Sequence, residues 1–249
     1  MDLPALLLLA LVGALIGAVG IGGFLVVPVL VFVQGRPLRE AVIAAVVAFV
    51  GAGVVSLAVV LRQPHDVHRS LRTFLAACVP GALAGALLLR VVDVRVIGLL
   101  ITGAVGVAGA AQLFGWPHVD SNSSDTRAGV SKRVATTIEG VITGLASTLT
   151  GTSGPLVAMP LLAFSGVPIR ERIRAGQVAQ LPIALTAALV LVTAGVIAWN
   201  VALTSALALA IGVLAGMRVT PRVSPAILAR AAALLMLATA AAMLVSTFG

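Results

Sequence analysis

Long apolar stretches alternate with short polar ones along the whole chain. A transmembrane helix needs about 20 predominantly apolar residues, and each of these stretches is long enough to be a candidate. They cover residues 3–33, 38–61, 71–90, 94–114, 133–165, 172–195, 199–217 and 229–248. The pattern predicts an all-α polytopic membrane protein with four hydrophobic segments in each half.

A single long hydrophilic stretch separates the two sets of four segments. Residues 115–132 (GWPHVDSNSSDTRAGVSK) are rich in Ser, Asp and Gly, a composition typical of a linker. We therefore divide the chain into a first transmembrane repeat over residues 1–114, a polar linker over 115–132 and a second transmembrane repeat over 133–249.

The two halves repeat one pattern at a constant offset of 131 residues, without a gap. Duplicated hydrophobic halves are typical of secondary transporters. The recurring glycine, proline and charged positions are Gly13/Gly144, Gly20/Gly151, Gly23/Gly154, Gly35/Gly166, Pro37/Pro168, Arg39/Arg170, Glu40/Glu171, Gly81/Gly212 and Gly85/Gly216. The last two pairs place small residues four apart in one helix of each half, which predicts close packing of helices there.

The first segment of each half is longer than one membrane crossing requires. Residues 3–33 and 133–165 each contain a glycine-rich break near the middle, Gly20-Ile-Gly-Gly in one and Gly151-Thr-Ser-Gly in the other. Clustered glycines disfavour a continuous helix. Each segment is either one tilted helix, or two short helices that fold back at a non-helical, re-entrant turn.

The distribution of basic residues favours the re-entrant alternative. If all eight segments cross the membrane, the 16 Lys and Arg residues divide ten against six between the two faces. If each first segment returns to the face from which it came, they divide twelve against four, and the halves become inverted. Basic residues concentrate on the cytoplasmic side, so we predict inverted repeats with both termini outside. The smaller group then contains Arg36, Arg39, Arg90 and Arg95.

Composition excludes several classes of function. Hydrophobic residues make up 60% of the 249 residues and charged residues 10%, whereas a soluble domain is about a quarter charged. No soluble catalytic domain is expected. The net charge of +8 comes from residues that flank the apolar segments, which indicates contact with membrane lipids and no nucleic-acid partner. A single cysteine, Cys78, which we expect to be buried, and the lack of a Cys/His cluster predict no metal site and no cofactor.

The two breaks are the candidate substrate site. Half-helices that begin near Phe24 and Pro155 would have their N-termini inside the membrane, where free N–H groups and the positive end of the helix dipole favour an anion. Hydroxyl side chains occur at the second break alone. The predicted substrate-binding residues are Gly20, Gly22, Gly23, Phe24, Thr148, Thr150, Gly151, Thr152, Ser153, Gly154, Gln177 and Gln180.

Two polar features keep alternative interpretations. Gln177 and Gln180 each either make an inter-helix hydrogen bond or face the substrate. Their repeat counterparts, Val46 and Phe49, are apolar. Glu139 lies near the start of the fifth segment and either relays a proton or pairs with Arg133 near the interface. Glu139 is therefore the candidate for proton coupling.

The sequence around the two breaks resembles a known family. Gly20-Ile-Gly-Gly-Phe-Leu-Val-Val-Pro28 and Gly151-Thr-Ser-Gly-Pro-Leu-Val-Ala-Met-Pro160 resemble the duplicated signature of the TauE/SafE permeases, and the resemblance extends over essentially the whole chain. It implies a small membrane permease for sulfite, organosulfonates or related organic anions, often acting as an exporter, with both glycine motifs in the substrate region. Ser153 and Pro155 depart from the family pattern, as does the lack of its Thr-Ser pair early in the second helix of each repeat.

We therefore expect a multi-pass secondary transporter of the cytoplasmic membrane that moves small sulfur-containing anions by alternating access. The alternatives are a passive anion channel or a non-transporting membrane subunit. An intramembrane enzyme is disfavoured because it needs a nucleophile with a base, paired acids or a metal set, for which Glu139 and Cys78 are the candidates. The expected partners are the anionic substrate and membrane lipids.

Overall fold

The computed structural model describes residues 2–20, 22–62, 69–114, 129–165, 167–219 and 225–248, and it is helical throughout most of them. The first half forms α1 (Leu3–Val19), α2 (Gly23–Val33), α3 (Leu38–Leu61), α4 (Arg69–Val91) and α5 (Val94–Phe114). The second half forms α6 (Gly129–Thr150), α7 (Gly154–Phe164), α8 (Ile169–Thr193), α9 (Trp199–Val219) and α10 (Pro225–Phe248). The predicted all-α class is confirmed. Most of the predicted linker, residues 115–128, lies outside the described residues.

Several helices have the length and composition of membrane spans. Five ranges among the described residues qualify: Leu38–Leu61, Leu71–Val91, Val94–Leu113, Glu171–Thr193 and Trp199–Arg218. Large apolar side chains such as Leu99, Leu189 and Leu207 are exposed on the outer faces of these helices. A broad apolar surface of this kind suits contact with lipid tails.

Each overlong first segment consists of two helices, not of one tilted helix. α1 ends at Gly20, which has a φ of 77°, and α2 begins at Gly23. The second segment turns at Gly151, with a φ of 59°, before α7 begins at Gly154. Glycine adopts such positive φ values at no steric cost because it has no Cβ. The predicted breaks at the two glycine clusters are confirmed.

The two helices of each broken segment fold back on each other. Gln34 follows α2, and its Nε2 donates a hydrogen bond of 3.4 Å to Oδ2 of Asp2, which precedes α1. Ser165 directly follows α7, and its hydroxyl donates to Oε1 of Glu139 in the first half of α6. The end of α2 therefore lies beside the start of α1, and the end of α7 lies beside the middle of α6.

Equivalent helices of the two halves pack in equivalent ways. α1 packs on α9. At the offset of 131 residues, α6 corresponds to α1 and α4 to α9, and these two helices also pack on each other. α3 packs on α8, and α5 packs on α10. The last pair runs antiparallel: a Cβ at Gly106 would lie 3.6 Å from Ala240 Cβ, and one at Gly109 would lie 2.8 Å from Met236 Cβ. These two corresponding helices therefore point in opposite directions.

Glycines allow the backbones of paired helices to touch. A Cβ at Gly81 in α4 would overlap the carbonyl oxygen of Val141 in α6, and a Cβ at Gly212 in α9 would overlap that of Ala10 in α1. The glycines four residues later, Gly85 and Gly216, lie in the same way against α6 and α1. The predicted close packing at these glycine pairs is confirmed.

α3 lies at the centre of the larger apolar core. Every residue from Ala41 to Phe49 is buried, which is expected of a helix surrounded by other helices. α3 contacts both α8 and α9 of the second half. The middle of α3 is therefore in place to form one wall of a site between the halves. Cys78 in α4 is buried, as predicted.

Candidate substrate site

The two glycine-rich breaks lie against each other. α2 and α7 begin within one residue of the starts predicted at Phe24 and Pro155. A Cβ at Gly23 would lie 2.7 Å from Ser153 Oγ and 2.8 Å from Phe49 Cζ, so the first break leaves no room for a side chain at this position. The N-terminal ends of the two half-helices therefore meet next to the middle of α3.

A small cavity lies beside this meeting point, between α3, α6, α7 and α8. The space inside it that is open to a water-sized sphere is about 10 Å³, about the minimum that one water molecule needs. In this conformation the cavity is closed to anything larger than a water-sized group, so binding of an anion requires its walls to move apart. The lining residues are Val46, Phe49, Ser147, Thr148, Thr152, Gly154, Gln180, Ile183 and Ala184.

Three polar side chains of the cavity are buried and unpaired. Ser147, Thr148 and Gln180 are at most 1% exposed. Their hydroxyl groups, and both Nε2 and Oε1 of Gln180, have no hydrogen-bond partner among the residues that the structure describes. A buried polar group without a partner costs about 1–3 kcal/mol. The cavity therefore favours a ligand that forms several hydrogen bonds at once.

The start of α7 supplies further donors. Gly154 is the first residue of α7 and lines the cavity. The preceding Ser153 is fully buried, and its hydroxyl neither caps α7 nor pairs with another described group. Pro155 has no N–H group, and the N–H of Leu156 donates to the Ser153 carbonyl oxygen at 3.0 Å. Gly154 therefore provides the N–H at this end of the helix, which is the positive end of the helix dipole. None of the lining residues is charged, so the cavity offers an anion dipoles, hydroxyls and an amide.

Two of the predicted threonines stabilise the turn and use their hydroxyl protons within it. Thr150 donates to the carbonyl oxygen of Ala146 at 2.7 Å, and its Oγ1 lies 2.8 Å from Thr152 Oγ1. Because a hydroxyl has one proton, Thr152 must donate to Thr150. Thr152 lines the cavity, but its hydroxyl proton already points to Thr150. The free hydroxyl donors of the cavity are those of Ser147 and Thr148.

The remaining predicted residues lie around the cavity and not in its wall. A Cβ at Gly20 would lie 3.8 Å from Gln177 Nε2, so Gln177 lies beside the first break. Phe24 is 1% exposed and belongs to the apolar core. Gly22 packs against α1, near the Leu15 side chain. The first half therefore shapes the site mainly through close packing.

A family model described as sulfite exporter TauE/SafE matches residues 5–243, nearly the whole chain. The chain belongs to the TauE/SafE family. The predicted resemblance to this family is confirmed by the match. Because the TauE/SafE proteins are membrane transporters and five described helices can cross a membrane, the protein is a multi-pass membrane protein of a transporter family. Comparison with curated proteins and with solved structures found no match.

The TauE/SafE motifs carry no sign of the apolar wall of the cavity. Val46 and Phe49 of α3 face Gln180, Ile183 and Ala184 of α8 across the cavity. The repeat offset contained a usable signal, since Phe49 is the counterpart of Gln180. If two corresponding helices cross at a shared site, corresponding positions on both helices line it.

Glu139 lies apart from the cavity, two turns before Ser147 on α6. Its side chain is 8% exposed and accepts a hydrogen bond from the Ser165 hydroxyl. Ser165 also lines a separate pocket together with Thr136 and Glu171. Ionisable groups inside membrane proteins are costly to bury and commonly functional. The assignment of Glu139 to proton coupling stays a prediction.

Proposed function

We propose that the protein is a secondary transporter that exports small sulfur-containing anions, such as sulfite or organosulfonates, across the cytoplasmic membrane. The observation that carries this proposal is the cavity at the start of α7, where buried hydroxyl and amide groups of Ser147, Thr148 and Gln180 have no partners in the described part of the chain. Membership of the TauE/SafE family supports the substrate class. Half-helix N-termini that point at an anionic substrate are a recurring device of such transporters.

We further propose that the two halves are inverted repeats with re-entrant first elements. The antiparallel pair α5 and α10 supports inversion, because corresponding helices of a non-inverted duplication would run parallel. Val196, between α8 and α9, lines one pocket with Arg39 and Arg90, although eight simple crossings would put Val196 on the opposite face from these arginines. The twelve-to-four division of basic residues supports the same arrangement.

Alternating access would follow from a rocking motion of one half against the other around the central site. The anion would accept hydrogen bonds from Thr148, Ser147 and Gln180 and lie at the positive end of α7. The burial of these residues supports a carrier with a closed site over a channel, because a channel needs a continuous path for the ion. The polar groups left unpaired when the closed carrier is empty raise its free energy, so closure is more favourable with the anion bound.

Removal of one hydroxyl tests the site. Thr148→Val should lower the uptake of labelled sulfite into vesicles preloaded with unlabelled sulfite by about tenfold, the loss expected for one hydrogen bond to an anion. Thr143→Val is the matched control. Thr143 lies on the same helix, is as fully buried and has an equally unpaired hydroxyl among the described groups, but it does not line the cavity.

The outcomes of this assay separate the candidate functions. Saturable counterflow in the wild type, with loss in Thr148→Val and retention in Thr143→Val, supports a carrier with this site. Sulfite conduction without exchange would favour the passive channel. Equal loss in both threonine variants would contradict the assignment of the cavity as the substrate site.

A further inference from the structure

Gln180 presents an acceptor as well as donors to the cavity. A glutamine side chain has one carbonyl oxygen that only accepts and one NH₂ group that only donates. Both atoms of Gln180 are buried and without a partner among the described residues. Whichever way the amide is turned, the side chain brings one unpaired acceptor and one unpaired NH₂ group to the lining of the cavity. A ligand that only accepts hydrogen bonds would leave the Gln180 carbonyl oxygen unpaired. It would also place the negative oxygens of the ligand against that oxygen.

The helix dipoles at the site supply at most about one positive charge. A helix N-terminus carries about half an elementary charge. α7 begins in the cavity wall, and α2 begins at Gly23 beside Ser153 and Phe49. The two N-termini together supply about one positive charge, and the negative C-terminal ends of α1 and α6 at the same two turns offset part of it. The charge of a doubly charged anion would therefore exceed the positive charge of this buried site.

None of the described charged side chains lines the cavity. All but one of those on the surrounding helices lie near a helix end, and the exception, Glu139, lies in the middle of α6, two turns before Ser147. α7 contains no charged residue. The groups on the other three helices are Arg39 and Glu40 on α3, Arg133 and Glu139 on α6, and Glu171, Arg172 and Arg174 on α8.

Resting on the transport function proposed above, we propose that the cavity takes its oxyanion in the singly protonated, singly charged form. The ligand oxygens accept from Thr148, Ser147 and the amide group of Gln180, and the ligand O–H donates to Gln180 Oε1. The proton then moves with the substrate, so the protein needs no titrating side chain for this step. A hydrogensulfite-like ion meets both requirements, whereas a fully ionised dianion meets neither.

Two anions that lose their last proton at different pH values show whether the proton that controls binding belongs to the ligand or to the protein. Sulfite and selenite have similar shapes, and selenite keeps its last proton to higher pH. Equilibrium binding to purified wild-type protein should weaken for both anions as the pH rises. The midpoint of this loss should lie at higher pH for selenite, because it follows the ionisation of the ligand. A common midpoint would assign the effect to a protein group such as Glu139 and overturn the proposal, as would binding that is independent of pH.

Substitution of Gln180 tests its role as acceptor and donor. Gln180→Leu should weaken the binding of selenite at least about tenfold at a pH where the anion keeps its proton. Gln34→Leu, at a glutamine whose partner is Asp2 and which lies outside the cavity, should leave binding unchanged. Full affinity in Gln180→Leu would overturn the proposal. Absence of binding of either anion to the wild type at every pH would instead overturn the transport function itself.

Discussion

Individual residues at the second break divide into those that hold the turn and those that face the cavity. Thr150 and Thr152 form a chain of hydrogen bonds that ends on Ala146, so their donors are used within the protein. Thr148 and Gln180 keep unpaired polar atoms in the cavity. The hydroxyl run is therefore not one uniform anion site, although all of its members share the same stretch of sequence.

At Gly151, backbone conformation and packing both require glycine. Gly151→Ala should cost about 1–2 kcal/mol for its positive φ, and a further loss because the new Cβ would lie 2.9 Å from Val27 Cγ2 and 3.2 Å from Val42 Cα. Gly35→Ala is the control, since Gly35 has a φ of 63° with no atom within 4 Å of the added Cβ. Melting temperatures in detergent should fall clearly further for Gly151→Ala. Equal decreases would show that the two breaks are not packed together.

Among the helices, contacts between glycine and backbone determine which elements pair. α4 lies against α6, and α9 against α1, through backbones that approach each other at glycines. Small residues at four-residue spacing are typical of helix pairs in membranes, where lipid tails provide no hydrophobic drive for association. These pairs connect the broken segment of each half to a long helix of the other half.

Loss of one such contact should separate α4 from α6. Gly81→Ala places a Cβ on the carbonyl oxygen of Val141, and overpacking of this kind costs about 1–3 kcal/mol. Gly103→Ala in α5 meets no atom within 4 Å and should gain up to about 1 kcal/mol from the higher helix propensity of alanine. The two variants should shift the melting temperature in opposite directions. An unchanged melting temperature in Gly81→Ala would contradict the packing described here.

The sequence was most informative where the cause of structure is local. The breaks at Gly20 and Gly151 were predictable because clustered glycines act on their own stretch of chain. The cavity was not, because it depends on which face of α3 meets which face of α8, and both helices are apolar on several sides. Phe49 gave no chemical signal, and only its repeat relation to Gln180 pointed to the site.

At the scale of the whole molecule, the account depends on the direction of the two halves. Two re-entrant segments that enter from opposite faces bring two helix N-termini to one central site. If both segments entered from the same face, the two N-termini would not be related in this way. The basic residues would also not divide twelve against four. The antiparallel pair α5 and α10 supports the first arrangement, and the anion site proposed between the breaks depends on it.

Labelling at two corresponding prolines tests this central claim most directly. Pro37 and Pro168 are exposed and directly precede α3 and α8. In a Cys78→Ala background, Pro37→Cys and Pro168→Cys would be treated with a membrane-impermeant maleimide in right-side-out and inside-out vesicles. The inverted arrangement predicts that Pro37→Cys reacts from the outside and Pro168→Cys from the inside. Reaction of both variants from the same face would contradict it.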